Sequence, residues 1–156
     1  MTTIVYDHKS KQIAVDSRTV AGSVILDDTH KKWRLIDGSY YFFCGVVADI
    51  EHFMELQNVK GKPKHVNNIT CIKVTEGRAY MCGIDDEEGY WQETMDCNDG
   101  AGSGRFWALS ALDFGRTAKE AVAYAATRDT YTGGVIHVFD MKCMRFKKQV
   151  HKEETE

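Results

Sequence analysis

Thr2 is the residue of this sequence with the clearest route to chemistry, because it follows Met1 directly. A threonine hydroxyl is a poor nucleophile at neutral pH, and inside a chain it has no base beside it. Once Met1 is removed, the free α-amino group can take the hydroxyl proton, directly or through a water. A free α-amine has a pKa near 8, roughly, which suits a general base. A threonine after Met1 is common, however, and alone it predicts little.

Three charged residues could assist such a nucleophile, but each also has an ordinary structural interpretation. Asp16 alone could be a hairpin turn residue, Lys32 a solvated strand lysine, and Asp129 a carboxylate that ends a helix. Gly133-Gly134 could be a plain turn. These residues acquire functional meaning only as a set.

Other possible sites are less well supported. The stretch Gly100–Gly104 resembles a phosphate loop, but no Lys-Ser/Thr pair follows it. The stretch 96–100 hints at a calcium loop, but Trp107 stands where a bidentate glutamate is needed. The acidic run 85–88 is typical of a solvated hairpin turn, and the histidines lack metal-ligand spacing. We therefore expect no metal and no cofactor.

Length and composition predict one domain over residues 1–150 with a polar tail over residues 151–156. The chain has 156 residues and a net charge of −3 without a basic stripe, which argues against nucleic acid as a partner. It has no apolar run that could span a membrane and does not start like a signal peptide. Five cysteines without paired spacing indicate reduced thiols in the cytoplasm.

Hydrophobic periodicity predicts strands, one helix, more strands, two helices and final strands. Helices are predicted at Val47–Asn58, at Ser103–Phe114 and after the capping box of Thr117 and Glu120. The predicted strands are Thr2–Tyr6, Gln12–Asp16, Ser23–Leu26, Lys32–Ile36, Tyr40–Gly45, Ile69–Thr75, Ala79–Ile84, Tyr90–Glu93, Val135–Asp140 and Cys143–Val150. This order predicts an α+β fold with an antiparallel sheet architecture and helices packed outside. We favour two face-to-face sheets between helical layers, although periodicity alone does not choose this version over other α+β folds.

Six sequence blocks, taken in their order along the chain, carry a resemblance to a known family. They are Thr2–Val5, Ala14–Gly22, Lys31-Lys32, Gly45–Asp49, Gly102-Ser103-Gly104 and Ala126–Gly134. The chain resembles the β-subunits of proteasomes, and the bacterial two-component proteasome-like peptidase, from Thr2 to about Phe139. The first and last blocks are specific individually, whereas Gly-Ser-Gly is weak alone. The resemblance implies the αββα sandwich of the N-terminal-nucleophile (Ntn) hydrolases.

The resemblance implies a threonine protease that hydrolyses peptide bonds with Thr2, its α-amine acting as the general base. Asp16 and Lys32 match the charged pair beneath the nucleophile, where the lysine favours the neutral amine and the aspartate compensates its charge. Ser103, Asp129 and Thr132 match the groups that orient the amine and a water; Thr132 stands where much of the family has serine. The N–H of Gly45 matches the oxyanion donor.

The resemblance also transfers a pocket for the residue before the scissile bond. Its predicted lining residues are Thr19, His30, Arg34, Phe43 and Val47. In this interpretation Phe43 makes the floor bulky and favours a small apolar group, while Arg34 favours an acidic one.

One departure concerns the helices after Gly45. The family has two long helices before the strands that lead to Gly-Ser-Gly, whereas here Ile69 follows the first helix closely. One helix is therefore predicted to be missing or reduced to the Lys60–His65 loop. By resemblance, the partners are a polypeptide or peptide substrate, further copies in a homo-oligomeric ring of about six or seven, and an ATP-dependent unfoldase.

Two alternatives remain open at this stage. A catalytically silent structural or assembly subunit would explain the missing helix, although such a subunit has no reason to keep Thr2, Asp16, Lys32, Ser103 and Asp129 together. A small-amide hydrolase with the same nucleophile is the second, but other Ntn amidases often start with cysteine or serine. The active interpretation requires removal of Met1, which the small Thr2 side chain permits, and we expect no longer propeptide.

Overall fold

A computed structural model describes residues 1–56, 69–85 and 89–149. In these ranges the chain forms twelve strands and three helices. The strands are β1 (Thr3–Asp7), β2 (Gln12–Val15), β3 (Thr19–Ala21), β4 (Val24–Asp27), β5 (Trp33–Ile36), β6 (Ser39–Cys44), β7 (Thr70–Thr75), β8 (Arg78–Asp85), β9 (Gly89–Thr94), β10 (Asp99–Gly102), β11 (His137–Asp140) and β12 (Arg145–Phe146). The helices are α1 (Val47–Leu56), α2 (Arg105–Asp113) and α3 (Ala118–Ala126).

The first sheet carries the N-terminal strand β1 in its interior, between β10 and β2. Its strand order is β10-β1-β2-β11-β12, and neighbouring strands are antiparallel. Val5 and Ala14 point to one side, where they pack on buried alanines and Val122 of α2 and α3. The helix pair therefore covers the outer face of this sheet.

The second sheet has the order β5-β6-β7-β8-β9 and is also antiparallel. Its outer face packs on α1, where Phe53 contacts the rings of Phe43 and Tyr90. Strands β3 and β4 form a separate two-stranded hairpin.

The main core lies between the sheets. Ile4, Tyr6 and Phe139 of the first sheet pack there against Phe42 and Ile72 of the second. The layers thus run α2/α3, first sheet, second sheet, α1, and the predicted αββα sandwich is confirmed. In the described ranges α1 is the one helix of its layer; the stretch Lys60–His65 lies outside them.

The helix predicted after Thr117 forms for the predicted reason. The Thr117 hydroxyl accepts from the Glu120 N–H at 3.2 Å, and the Glu120 carboxylate accepts from the Thr117 N–H at 3.3 Å. This capping box satisfies two N–H groups that the first turn leaves unpaired. The buried stripe Ala118, Ala121, Val122 and Ala125 then packs on the sheet.

Strand β10 was not predicted, because Asp-Gly-Ala-Gly lacks residues that favour strands. It forms because β1 passes very close: a Cβ on Gly100 would lie 2.6 Å from the Ile4 carbonyl oxygen. Strand β3 was also missed. The predicted strand Cys143–Val150 is wrong in extent, since only Arg145–Phe146 pairs with β11, after a turn.

The remaining expectations concern membranes and the chain end. None of the described helices is long and apolar enough to cross a bilayer. The tail 151–156 and the end of the predicted helix beyond Leu56 lie outside the described residues.

Candidate active site

Asp16 is the centre of the polar network at the start of β1. It follows β2, is fully buried, and accepts four hydrogen bonds. One carboxylate oxygen accepts from the Thr3 N–H at 3.0 Å and from Lys32 Nζ at 2.8 Å; the other accepts from the N–H groups of Gly133 at 3.0 Å and Arg18 at 3.4 Å. Asp16 therefore joins β1, the lysine and the loop after α3.

Lys32 lies directly beneath the bond that precedes Thr2. Its ammonium donates to the Met1 carbonyl oxygen at 3.2 Å as well as to Asp16, and only 5% of the residue is exposed. Burial lowers the pKa of Lys32, and the nearby Asp16 carboxylate partly opposes this shift. Thr2 is itself buried, with 4% exposed, whereas 56% of Met1 is exposed. A lysine with a lowered pKa is thus held against the peptide bond between Met1 and Thr2.

Asp129 organises a second set of hydroxyls. One of its oxygens accepts from Ser103 Oγ at 2.5 Å and from Thr132 Oγ1 at 2.6 Å. Thr132 Oγ1 also lies 2.6 Å from Thr3 Oγ1, in the residue next to Thr2. The structure therefore brings Ser103, Asp129 and Thr132 together and links them to the start of β1.

Glycines allow the segments to approach one another here. Gly102 has φ +97°, and a Cβ on it would lie 1.7 Å from the Thr2 carbonyl oxygen. A Cβ on Gly104 would lie 2.0 Å from Thr3 Oγ1, and one on Gly133 2.4 Å from Arg18 Cζ. The glycines of the Gly-Ser-Gly and Gly-Gly motifs are thus required by close contacts rather than by turns alone.

An ion pair fastens the loop after α3 to the same region. Arg18 donates to both carboxylate oxygens of Asp28, at 2.8 and 3.0 Å, and to the Thr130 carbonyl at 3.4 Å. The pair raises the pKa of Arg18, and its guanidinium lowers the pKa of Asp28. The Asp28 carbonyl accepts from Ser17 Oγ at 2.6 Å and from the Val135 N–H at 3.0 Å. Three segments are therefore tied together beside Asp16.

A cavity of about 730 Å³ opens next to Thr2. Four of the five predicted pocket residues line it, namely Thr19, His30, Phe43 and Val47, together with Thr2, Lys32 and Gly45. Val20, Leu26, Val46, Ala48 and Ile50 make most of the remaining wall apolar. The cavity thus places an apolar pocket beside the threonine.

Arg34 does not take its predicted place. Its side chain is 46% exposed and pairs with Glu51 of α1 at 2.6 Å, and it is absent from the cavity wall. Arg34 lies on β5, whose residues from Arg34 to Ile36 are exposed. Lys32 and Arg34 are two residues apart, so in a regular strand their side chains would point to the same face. The chain turns to the surface after Lys32, however, and motif spacing alone therefore misplaced the Arg34 side chain.

Gly45 combines a place in the cavity wall with a backbone that suits only glycine. Its φ is +137°, in a region that other residues rarely adopt, and it stands two residues before α1. The thiol of Cys44 precedes it, and burial raises the pKa of that thiol. Within the described part of the chain, no cluster of three or more His, Cys, Asp or Glu residues could hold a metal ion.

Sequence reasoning missed three members of this network. Thr3 and Arg18 lie inside matched blocks and Asp28 lies between two of them, but the motifs indicate no role for these residues. The signal available was weak: a repeated threonine at the start, and an arginine two residues after the buried aspartate. Their partners are distant in sequence, so only the folded chain shows the pairing.

Comparisons with solved structures identify proteins that share this fold. No protein-family model and no curated protein matches the sequence. Among solved structures, HslV from Trypanosoma brucei aligns with a TM-score of 0.66 at 17% identity, over 88% of this chain and 97% of that one. BPH from Thiobacillus denitrificans in complex with epoxomicin aligns with a TM-score of 0.65 at 15% identity, over 88% and 97%. Another structure of that protein gives 0.62 at 15% identity, over 88% and 95%. The chain therefore has the Ntn-hydrolase fold of the proteasome β-subunit type, as its sequence blocks had indicated.

Proposed function

We propose that this chain is a proteasome-type threonine endopeptidase in which Thr2 is the nucleophile once it is the first residue. The observation that carries the proposal is the buried Lys32–Asp16 pair, whose lysine bonds to the carbonyl of the Met1–Thr2 peptide bond. A buried ion pair is costly to build and is seldom needed for stability. The pair lies next to the nitrogen that becomes the Thr2 α-amine when Met1 is removed, so a role in the reaction would explain why it is buried there.

The lysine would act through its charge. A positive charge beside the α-amine favours the neutral amine, which is the form that accepts a proton, and it eases ionisation of the Thr2 hydroxyl. Asp16 holds Lys32 in place at 2.8 Å and compensates its charge. Its three further bonds, from the N–H groups of Thr3, Gly133 and Arg18, fix that carboxylate on both sides.

Ser103, Asp129 and Thr132 would orient the amine and a water. Both hydroxyls donate to the Asp129 carboxylate, so their oxygens keep lone pairs for an N–H or O–H of the amine or the water. This arrangement suits a base that must present its lone pair toward its own side chain.

In the proposed reaction these groups act in turn. The Thr2 hydroxyl gives its proton to the amine and its oxygen attacks the substrate carbonyl carbon, while the Gly45 N–H donates to the developing oxyanion. The intermediate collapses to an ester as the protonated amine gives its proton to the leaving nitrogen. A water, deprotonated by the same amine, hydrolyses the ester and returns Thr2 to its free form.

The cavity supports an apolar residue before the scissile bond. Phe43 and Ile50, both buried, and Leu26 belong to its wall. Of the basic residues there, Lys32 and Arg18 are engaged by Asp16 and Asp28, and His30 is the third. A charged substrate group would lose water there with only His30 as a further basic side chain beside it, which is unfavourable. We expect kcat/KM for a leucine peptide to exceed that for an aspartate or arginine peptide by at least about tenfold.

Assembly into a homo-oligomeric ring is part of the proposal. Val24, Ile25 and Leu26 of the β3–β4 hairpin are each at least half exposed in the isolated chain, so contact with a second copy would remove apolar surface from water. A ring enclosing the sites would restrict access to unfolded polypeptide fed by an ATP-dependent unfoldase in the cytoplasm. Light scattering tests this point, and a monodisperse monomer would count against it.

Activity is tested with the purified full chain. Intact-mass spectrometry should show loss of Met1, and the processed protein should hydrolyse fluorogenic peptides and bind epoxomicin. Thr2→Ala should abolish hydrolysis, Thr2→Ser should keep part of it, and the exposed control Thr94→Ala should be unaffected. A Thr2→Ala protein that still cleaves would remove Thr2 from the mechanism. A processed wild-type chain that cleaves no peptide would favour a silent structural subunit.

A further inference from the structure

Thr3 is a fully buried polar residue, and the proposed reaction gives its hydroxyl no task. Its backbone N–H donates to Asp16 at 3.0 Å, and its hydroxyl lies 2.6 Å from the hydroxyl of Thr132. A Cβ on Gly104 would lie 2.0 Å from the Thr3 hydroxyl oxygen, so the start of α2 leaves room for this group only because position 104 is glycine. Thr3 therefore touches both polar clusters of the site.

The direction of the hydroxyl bonds follows from proton counting. Thr132 has one hydroxyl proton, and it goes to the Asp129 carboxylate, which only accepts. In the contact between Thr3 and Thr132, Thr3 must then be the donor. The order is Thr3 to Thr132 to Asp129, with Ser103 as a second donor to Asp129.

The two faces of β1 separate this series of hydroxyl groups from the cavity beside Thr2. Alternate residues of a strand point to opposite faces, so Thr3 shares a face with Val5, which packs on α2 and α3. Thr2 shares the other face with Ile4 and Tyr6, which point between the sheets. Consistently, Thr2 lines the cavity and Thr3 does not.

We propose that Thr3 is a positioning residue for the reaction, and this inference rests on the proposed function. Its hydroxyl holds Thr132 with the proton turned toward Asp129. In the proposed reaction the Thr132 oxygen could then meet the Thr2 amine only as an acceptor. A Thr132 that could rotate would also be able to donate to the amine and occupy the lone pair that must take the Thr2 proton. Thr3 thus keeps the base free without touching the substrate.

The test compares processed Thr3→Val, Thr3→Ala and Thr3→Ser chains with wild type in the fluorogenic peptide assay. Valine keeps the shape and removes the hydroxyl, and alanine and serine form a second pair that differs only in the hydroxyl. We expect kcat to fall about tenfold in the valine and alanine variants, the size of one ordinary hydrogen bond. KM should stay within about twofold, and serine should restore kcat to within about threefold of wild type.

A merely structural role would not produce this pattern, since the loss of activity would then follow the loss of thermal stability. Wild-type kcat in the alanine or valine variant, an equal loss in serine, or a change confined to KM would each overturn the inference. The Thr2→Ala comparison separates the two claims: if hydrolysis does not depend on Thr2, the proposed function and this inference both fail. If it does depend on Thr2 and the Thr3 variants behave as wild type, only this inference fails.

Discussion

The polar centre at the start of β1 and the wall of the neighbouring cavity are built in opposite ways. In the centre, Asp16, Asp129 and Thr132 are buried and each has several hydrogen-bond partners within the chain. The wall is formed largely by the β3–β4 hairpin and by the chain from Gly45 into the first turn of α1. Leu26 and Val47 in these segments are more than half exposed. One region is rigid and polar, and the other is apolar and open.

The difference indicates which properties the fold can fix. Buried, fully bonded groups hold one arrangement because any displacement leaves a polar atom without a partner. Exposed apolar side chains carry no such penalty, so substrate preference can vary while the chemistry stays constant. Substitutions in the centre should therefore act on turnover, and substitutions in the wall on the choice of substrate.

The largest effect is expected for Lys32→Met. It removes the charge beneath Thr2 and leaves Asp16 as a buried carboxylate without its cation, so the free energy of unfolding should fall by about 3–5 kcal/mol. We expect kcat/KM to fall by at least about 10²-fold, measured below the melting temperature by peptide hydrolysis. The exposed Lys9→Met should change neither quantity appreciably; a Lys32→Met enzyme of normal rate would show that the charge has no role.

A second prediction uses two glycines with similar backbones and different surroundings. Gly102 and Gly38 both have positive φ, +97° and +79°, but a Cβ at Gly38 meets nothing within 4 Å. Gly38→Ala should cost about 1–2 kcal/mol of stability for the backbone conformation alone. Gly102→Ala should cost about 2–5 kcal/mol, because overpacking against the Thr2 carbonyl adds about 1–3 kcal/mol.

Activity gives the sharper comparison between these two variants. Displacing the Thr2 backbone should lower kcat about 10²-fold in Gly102→Ala, whereas Gly38→Ala should turn over normally. Chemical denaturation and steady-state kinetics measure the two quantities. Equal losses in both variants would mean that Gly102 serves only the turn.

The same contrast explains which parts of the site and the fold could be predicted from the sequence. Asp16, Lys32, Ser103, Asp129 and Thr132 stand in blocks with fixed order, and the fold brings all five to the start of β1. A polar side chain in such a site has few possible hydrogen-bond partners, so the motif is enough to predict where it lies. Strand β10 escaped prediction because its Asp-Gly-Ala-Gly sequence is shaped by the close approach of β1, which local propensity does not contain.

Side chains at the surface were less predictable. Arg34 was assigned to the pocket by spacing, but nothing buried constrains a long charged side chain on an exposed strand, and Glu51 of α1 offers a partner at 2.6 Å. Arg18 and Asp28 were missed for a related reason, since their pairing depends on how the hairpin folds back. Contacts of this kind belong to tertiary structure and leave little trace in spacing.

The pH dependence should separate stability from activity at Lys32. Burial lowers the pKa of Lys32 below its ordinary value of 10.5. Between the folded and unfolded pKa values the unfolded chain binds more protons, so the contribution of Lys32 to the free energy of unfolding rises with pH over that window. Hydrolysis should fall over the same window, because the lysine loses the charge that assists Thr2.

Denaturation and peptide hydrolysis, followed from pH 8 to about 10.5 on wild type and Lys32→Met, test this opposition. The variant lacks the lysine, so its free energy of unfolding should not show the rise with pH that Lys32 gives the wild type. Below the folded pKa the burial cost of the charged lysine is present in full, and there the wild-type curve should be flat with respect to this group. A wild-type stability contribution that falls with alkaline pH would contradict the direction of the pKa shift.

The smallest effect is expected at Arg34. Because Arg34 and Glu51 are exposed, their ion pair should contribute no more than about 1 kcal/mol, and Arg34→Ala should leave the ratio of kcat/KM for leucine and aspartate peptides within about twofold of wild type. Val47→Arg provides the matched opposite, since it adds a positive charge to a residue that does line the cavity. That variant should shift the ratio toward the aspartate peptide by about fivefold, the size of a screened charge interaction of roughly 1 kcal/mol. If Arg34→Ala moved the ratio and Val47→Arg did not, the cavity beside Thr2 would not be the place where the substrate side chain binds.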